Sequence, residues 1–300
     1  NVNGEVRHLE QYATDFIAEQ SIEFLEEFDA EDDEQRWLMY VTVSAPHYPF
    51  YAEDEYADAN VPAWPSNPAL EEDRVGDKAG FVADVGYTAE QGAAIYAKQL
   101  RTLMSADDLV ADLFDKLEEL GEDEETLAFF VSDNGMLLGE HGLYAKRLPY
   151  TESIHVPFFV RWPGRVEPGA TDDRLVGNID IAPSVLDVAG LPPELQLEQD
   201  GRSLFGPLER SHILTEGWGS WAAHRPTWAS IRTHEYQYIQ YYFNNGEVRF
   251  REFYDLVEDP WQTNNVLGDR DESNDPNPVV IKQLETQLER DRQCAGPTCP

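Results

Sequence analysis

No apolar run in this 300-residue chain approaches the roughly 18 residues that a membrane-spanning helix needs. Basic residues are scarce: 22 Lys and Arg stand against 58 Asp and Glu, a formal net charge of −36. Such a surface repels a nucleic-acid backbone or an anionic membrane at low salt, which argues against nucleic acid as a partner. Only Lys78, Lys98, Lys116, Lys146 and Lys282 supply lysine, and the other basic residues are arginine. Cysteine is limited to Cys294 and Cys299 in the terminal CAGPTCP. A structural zinc site needs four ligands and no histidine cluster lies beside this pair, so the spacing reads as a small disulfide loop. A disulfide favours an oxidising, extracytoplasmic compartment. There is no Walker A loop, no glycine fingerprint after a strand, no HExxH and no GxSxG. The first residue is Asn1 rather than Met, so the chain is expected to be a soluble piece of a longer protein.

What is present is enough to fold. Hydrophobic residues make up 41%, including 7 Trp, 14 Tyr and 14 Phe, which argues against disorder. The length corresponds to about two domains at roughly 150 residues each. Dense carboxylates stay hydrated in concentrated salt, where a Debye length of ~3 Å at 1 M screens their repulsion. The acidity therefore reads as salt adaptation, with an ordinary acidic protein as the alternative.

Along the chain, helix and strand signals alternate without repeats. Residues 8–28 carry Leu9, Tyr12, Phe16, Ile17, Phe24, Leu25 and Phe28 at mainly three- and four-residue intervals, the face of an amphipathic helix. Residues 37–43 are apolar throughout and predict a strand buried on both faces, ending in the proline-rich Ser44-Ala45-Pro46-His47-Tyr48-Pro49. Residues 50–80 read as a long surface excursion. A helix is predicted over 88–120 with Gly121 as its stop, then buried strands over 126–131 and 154–161, and a helix over 180–189 stopped by Gly190. Beyond residue 205 the segments are short, β-rich and separated by turns such as Asn244-Asn245-Gly246, which predicts a small antiparallel sheet closed by a helix over 284–292. The expected class is α/β: a mixed, largely parallel sheet flanked by helices over residues 1–204, and a small α+β subdomain over 205–300.

The chemistry-bearing residues follow the strand at 126–131. Ser132-Asp133-Asn134-Gly135 supplies a carboxylate and an amide oxygen at a strand's carboxyl end, where open α/β sheets place ligands. Both are hard oxygen donors, suited to Ca²⁺, with Mg²⁺ as the alternative. Lys146, after Gly139-Glu140-His141-Gly142, can set a cation beside an anionic substrate. Taken alone, an Asp-Asn-Gly after a strand is more often a simple turn.

Taken together, the ordered motifs resemble the sulfatase family. They are the segment around His47, Leu103-Met104-Ser105-Ala106-Asp107-Asp108, the run from Phe129 through Asp133, Asn134 and His141 to Lys146, the stretch 149–157, Asn178-Ile179-Asp180, Asp200-Gly201-Arg202-Ser203-Leu204 and the tail 254–265. The resemblance covers most of residues 36–267. It implies an alkaline-phosphatase-like fold whose N-terminal part is missing, and hydrolysis of sulfate esters. Asp133 and Asn134 would bind calcium, Lys146 would contact the sulfate, and His47 would lie by the sulfate and the leaving-group oxygen. The family's Cys- or Ser-x-Pro-x-Arg motif, which supplies the formylglycine nucleophile, is absent, as is the preceding Asp-Asp pair. The resemblance thus implies an inactive C-terminal part. For His141 a structural role and substrate contact both stay open, and His8, His155, His212, His224 and His234 have no motif behind them. Thr151 stands where an acidic residue is common.

The tail and the Asp-Gly-Arg-Ser segment are similar to those of arylsulfatases and N-acetylglucosamine-6-sulfatases, which implies an aryl or carbohydrate sulfate. Trp218, Trp221, Trp228 and Tyr48 are candidates for sugar stacking, with core packing as the alternative. Two other readings stand beside this one: a phosphodiesterase or phosphonate hydrolase of the same superfamily, and a non-catalytic binding protein. The salt-adaptation reading is tested by thermal unfolding against KCl concentration: the midpoint rises with salt, and a salt-independent midpoint contradicts it.

Overall fold

A computed structural model describes residues 3–31, 36–72, 75–84, 86–192, 197–219 and 225–300, so Trp221 and His224 lie outside the described residues. The chain divides into two compact units, one of Asn1–Pro65, Glu90–Phe129 and Phe159–Ala170, the other of Ser66–Ala89, Phe130–Phe158 and Thr171–Pro300.

The first unit is built on two helices, α1 (Ala13–Glu31) and α2 (Ala89–Leu120). Helix α2 follows its apolar stripe, with Leu109 and Leu117 buried, and ends where Gly121 takes φ +78°. Lys116 on α2 bonds Glu26 of α1 at 2.9 Å, and the Tyr12 hydroxyl donates to Tyr51 O. Residues 37–43 are not a strand. They run extended, with Trp37, Met39, Val41 and Val43 half-buried while Leu38 and Tyr40 are 72% and 89% exposed. The expected burial on both faces fails because no strand among the described residues pairs with this segment. Strands β1 (Ala128–Val131) and β4 (Phe158–Arg161) form a two-stranded sheet. The strand expected over 154–161 is shorter because residues 151–154 coil into the helical turn α3 (Thr151–Ile154).

The second unit centres on an antiparallel meander, β5 (Ile213–Gly217), β6 (Thr227–Arg232), β7 (Tyr236–Tyr242) and β8 (Val248–Asp255), hydrogen-bonded in chain order. Gly246 takes φ +85° in the β7–β8 turn, a backbone state that suits glycine. Strand alternation sorts the side chains onto two buried faces. Ala229, Ile231, Tyr238 and Tyr242 pack with Leu284 and Leu288 of helix α5 (Pro278–Asp291), whose N-terminus is capped by Asn277. Trp228, Ile239, Tyr241 and Tyr254 pack on the opposite face with Leu137, Leu143, Leu148 and Tyr150. A sheet covered on both sides leaves β7 buried along almost its whole length, its Gln237 and Gln240 included. Residues 75–82 also join this core: Ala79 and Val82 are buried, and so is Lys78. Lys78 and Ala79, at the end of the expected surface excursion, are therefore interior. The Cys294–Cys299 disulfide closes the chain after α5.

A buried ion pair ties helix α4 (Ile181–Val188) to the segment after it. Arg210 donates to both oxygens of Asp180 at 2.7 and 2.9 Å, and Asp180 also accepts from the backbone of Gly177 and Arg202. A Cβ on Gly201 would meet Ile179 O at 2.0 Å, which is why glycine stands inside Asp200-Gly201-Arg202.

The fully buried Glu252 accepts from the hydroxyls of Tyr150, Tyr241 and Tyr254 and from Ala79 N. Burial lifts its pKa to about 7, opposed by the Ala79 amide, Lys78 and the tyrosines. Between pH 4.5 and about 7 the folded chain keeps a proton that the unfolded chain has released, so stability falls as pH rises through this window. Denaturant titrations between pH 5 and 8 should show that fall, and Glu252→Gln should flatten it; an identical slope in the variant contradicts the assignment.

Candidate active site

Strand β1 delivers Ser132-Asp133-Asn134-Gly135 into a tightly fixed turn. Ser132 N donates to Pro157 O, its hydroxyl donates to Asn134 O at 2.8 Å, and Asn178 Nδ2 holds Ser132 O at 3.0 Å. Gly135 N bonds Ser153 O, and a Cβ at this position would sit 2.1 Å from Glu152 O. Only glycine permits that approach. Asp133 is exposed and Asn134 half-buried. The Asn134 amide nitrogen is committed to Gly135 O at 3.0 Å, which leaves its oxygen as the donor atom for a cation.

The next segment is the hairpin β2 (Leu137–Leu138) and β3 (Tyr144–Ala145), closed by Gly139-Glu140-His141-Gly142. Gly139, His141 and Gly142 have φ of +129°, +56° and +69°, which accounts for the two glycines. Glu140 folds back to accept from Leu138 N at 2.7 Å and from Asn67 at 3.2 Å. His141 is buried, stacks on Tyr150 and bonds Glu72 at 2.7 Å; Glu72 in turn pairs with Lys78. These contacts fix the ring through Nδ1, while Nε2 is buried without a hydrogen-bond partner among the described residues.

Lys146 leaves the end of β3 in an unusual backbone setting. Its neighbours Ala145 and Arg147 have φ of +75° and +71°, states that cost non-glycine residues about 1–2 kcal/mol each. Side chains from the edge of the meander hold this strained stretch. Arg225 donates to the carbonyls of Tyr144 (3.0 Å) and Lys146, and the Trp228 indole N–H donates to Arg147 O at 2.9 Å. Trp228 is 3% exposed, so it is a core residue and not a sugar platform, whereas Trp218 is 79% exposed. Gly217 leaves room for the indole, since a Cβ there would lie 2.2 Å from Trp228 Nε1. Neither Arg225 nor the Trp228 bond carries a sequence signal, because both act on backbone carbonyls far along the chain.

Glu152 has both carboxylate oxygens buried without a hydrogen-bond partner among the described residues. Burial raises its pKa to about 7, with Glu140 adding to the rise and Arg232 opposing it. Thr151, where an acidic residue is common, accepts from Arg232 and binds Gln262 Oε1 through its amide and hydroxyl. Of the sequence-predicted site residues, Asp133, Asn134 and Lys146 belong to the second unit. His47 belongs to the first, exposed in a turn with Nδ1 against Tyr48 O at 2.8 Å.

Asp133 and Asn134 fit part of a Ca²⁺ shell, which takes six to eight oxygens. Among the described residues no group of three or more acidic, histidine or cysteine side chains could hold a metal ion, and two oxygens alone do not complete such a shell.

The fold is similar to that of sulfatases and phosphonate monoester hydrolases of solved structure. It superposes with a TM-score of 0.79 on a protein solved in complex with its substrate D-glucosamine-2-N,6-O-disulfate, at 22% identity over 96% of this chain and 70% of that one. The phosphonate monoester hydrolase of Agrobacterium radiobacter superposes at 0.68, with 24% identity over 94% of this chain and 61% of the other. At these identities the likeness is one of fold. Residues 2–191 match the sulfatase family and residues 139–294 match the C-terminal region of N-sulphoglucosamine sulphohydrolase, so the chain belongs to the sulfatase family. It is 31% identical to the N-acetylglucosamine-6-sulfatase of Bos taurus over 347 aligned residues, covering 100% of this chain and 59% of the relative. The N-acetylglucosamine-6-O-sulfatase of Bacteroides thetaiotaomicron is 30% identical over 63% of this chain and 35% of its own length. The chain thus spans about 59% of the length of the curated relative that it matches end to end.

Gly135→Ala should lower the thermal midpoint by several degrees, because Glu152 O would have to move to admit the methyl group. A midpoint within about 1 °C of the parent contradicts the packing argument.

Proposed function

We propose that the complete protein hydrolyses sulfate esters of aminosugars, with N-acetylglucosamine-6-sulfate the first substrate to test. The reading rests on one observation: Asp133, Asn134 and Lys146 follow in family order within one unit, with the lysine backbone clamped rather than loose. Similarity to glucosamine-6-sulfatases supports the sugar over an aryl group.

Lys146 sets its ammonium against the sulfate oxygens, where it offsets charge that shifts as the S–O bond breaks. The family resemblance gives His47 the role of holding the proton that the departing sugar hydroxyl takes up. Asp133 and Asn134 hold part of the calcium shell; the ion, when bound, neutralises sulfate charge. The formylglycine nucleophile and the other metal ligands come from a segment outside this chain, so the 300 residues alone do not turn over. Asn134, an amide rather than a histidine beside Asp133, favours one oxygen-liganded ion over the two-zinc sites of other members of the superfamily. The cysteine loop supports action outside the cytoplasm, and the −36 charge supports adaptation to salt, since a negative surface does not steer sulfate esters inward. Residues 205–300 act as a subdomain that supports the lysine.

Release of inorganic sulfate from N-acetylglucosamine-6-sulfate tests this directly. The complete protein with Ca²⁺ should release it, and Lys146→Ala should lose about 10²–10³-fold in kcat/KM. Undiminished turnover by the variant, or turnover by the isolated 300-residue chain, refutes the assignment.

A further inference from the structure

The stretch that presents Lys146 carries an uncompensated excess of positive charge. Lysines 78, 116 and 282 all lie in ion pairs, as do Arg161, Arg174, Arg210, Arg251 and Arg292. Lys146, Arg147 and Arg225 lie close together. Among the described residues none of the three has a carboxylate within ion-pair distance, although Arg225 reaches across to the carbonyls of Tyr144 and Lys146. Arg225 is half-buried, and Arg147 lies near enough for its charge to add to the burial that lowers the Arg225 pKa. Holding like charges together costs free energy, and so does the φ of +71° at Arg147. Such costs persist at binding sites.

We propose that Arg147, backed by the charge of Arg225, binds a second anionic group of the substrate, a sulfate or carboxylate on the same sugar, while Lys146 holds the ester sulfate. This rests on the sulfatase reading above. Arg225 has spent two donors on carbonyls and serves as a positioning residue, whereas the exposed Arg147 keeps its whole guanidinium fork for a planar or tetrahedral anion. The two side chains spring from Cα atoms about 3.8 Å apart, so two anionic groups of one sugar fall within reach of both. The preferred substrate is then a doubly charged sugar.

The test compares KM for glucosamine-2-N,6-O-disulfate and for N-acetylglucosamine-6-sulfate in the complete, Ca²⁺-loaded protein. The parent should show a KM about tenfold lower for the disulfated sugar. Arg147→Gln should bring the two within twofold, and Arg147→Lys should restore part of the difference. A ratio near one in the parent, or a ratio kept by Arg147→Gln, overturns the second subsite while leaving the sulfatase reading intact. Hydrolysis of neither sugar overturns both.

Discussion

The structure of the candidate site depends on two side chains that grip one strained turn. Ala145 and Arg147 occupy backbone states that cost about 1–2 kcal/mol each, and left alone the turn would relax and carry Lys146 away. Three hydrogen bonds from Arg225 and Trp228 oppose that relaxation. Bonds to a charged donor contribute about 1.5–3 kcal/mol each and a neutral one about 1, so the clamp outweighs the strain. Arg225 and Trp228 flank the start of β6, and Trp228 is itself locked by the core face of the meander. The C-terminal sheet therefore acts on the lysine through its backbone and not through its ammonium.

A second polar seam runs beneath the same hairpin. Lys78 and His141 share Glu72, His141 stacks on Tyr150, and Tyr150 joins Tyr241 and Tyr254 around Glu252. Each buried carboxylate here has donors, so the desolvation cost is offset in part and the segments 72–79, 137–150 and β8 are held in one arrangement. Glu152 is the contrast, buried with no donor among the described residues. Burial raises its pKa to about 7, as it does for Glu252.

Much of the architecture was legible in the chain. The 32-residue helix α2 announces itself by its stripe and by Gly121, the meander by its turn residues, and the disulfide by the isolated cysteine pair. Asp133-Asn134-Gly135 was legible as a candidate oxygen site because it follows a strand, and the close approach at Gly135 gives the glycine its physical reason. What sequence could not show was burial set by distant partners. Residues 37–43 have strand composition but no partner strand among those described, so their apolar side chains stay half-exposed. Lys78 sits in a proline- and acid-rich stretch that reads as surface, yet Glu72 and Thr263 O draw it inside. Trp228 is indistinguishable in sequence from a sugar-stacking aromatic; only the core around it and its bond to Arg147 O decide otherwise.

The net charge of −36 and the uncompensated cations around Lys146 describe one molecule at two scales. Over the whole surface the carboxylates keep the protein hydrated, and at the clamped turn positive charge is left for a ligand. The most direct test of this account is a crystal structure of the complete protein with Ca²⁺ and a sulfated glucosamine. The account predicts the ion on Asp133 and Asn134, and a sulfate oxygen about 3 Å from Lys146 Nζ. A sulfate bound away from Lys146, with the 144–147 backbone still held by Arg225, would contradict it.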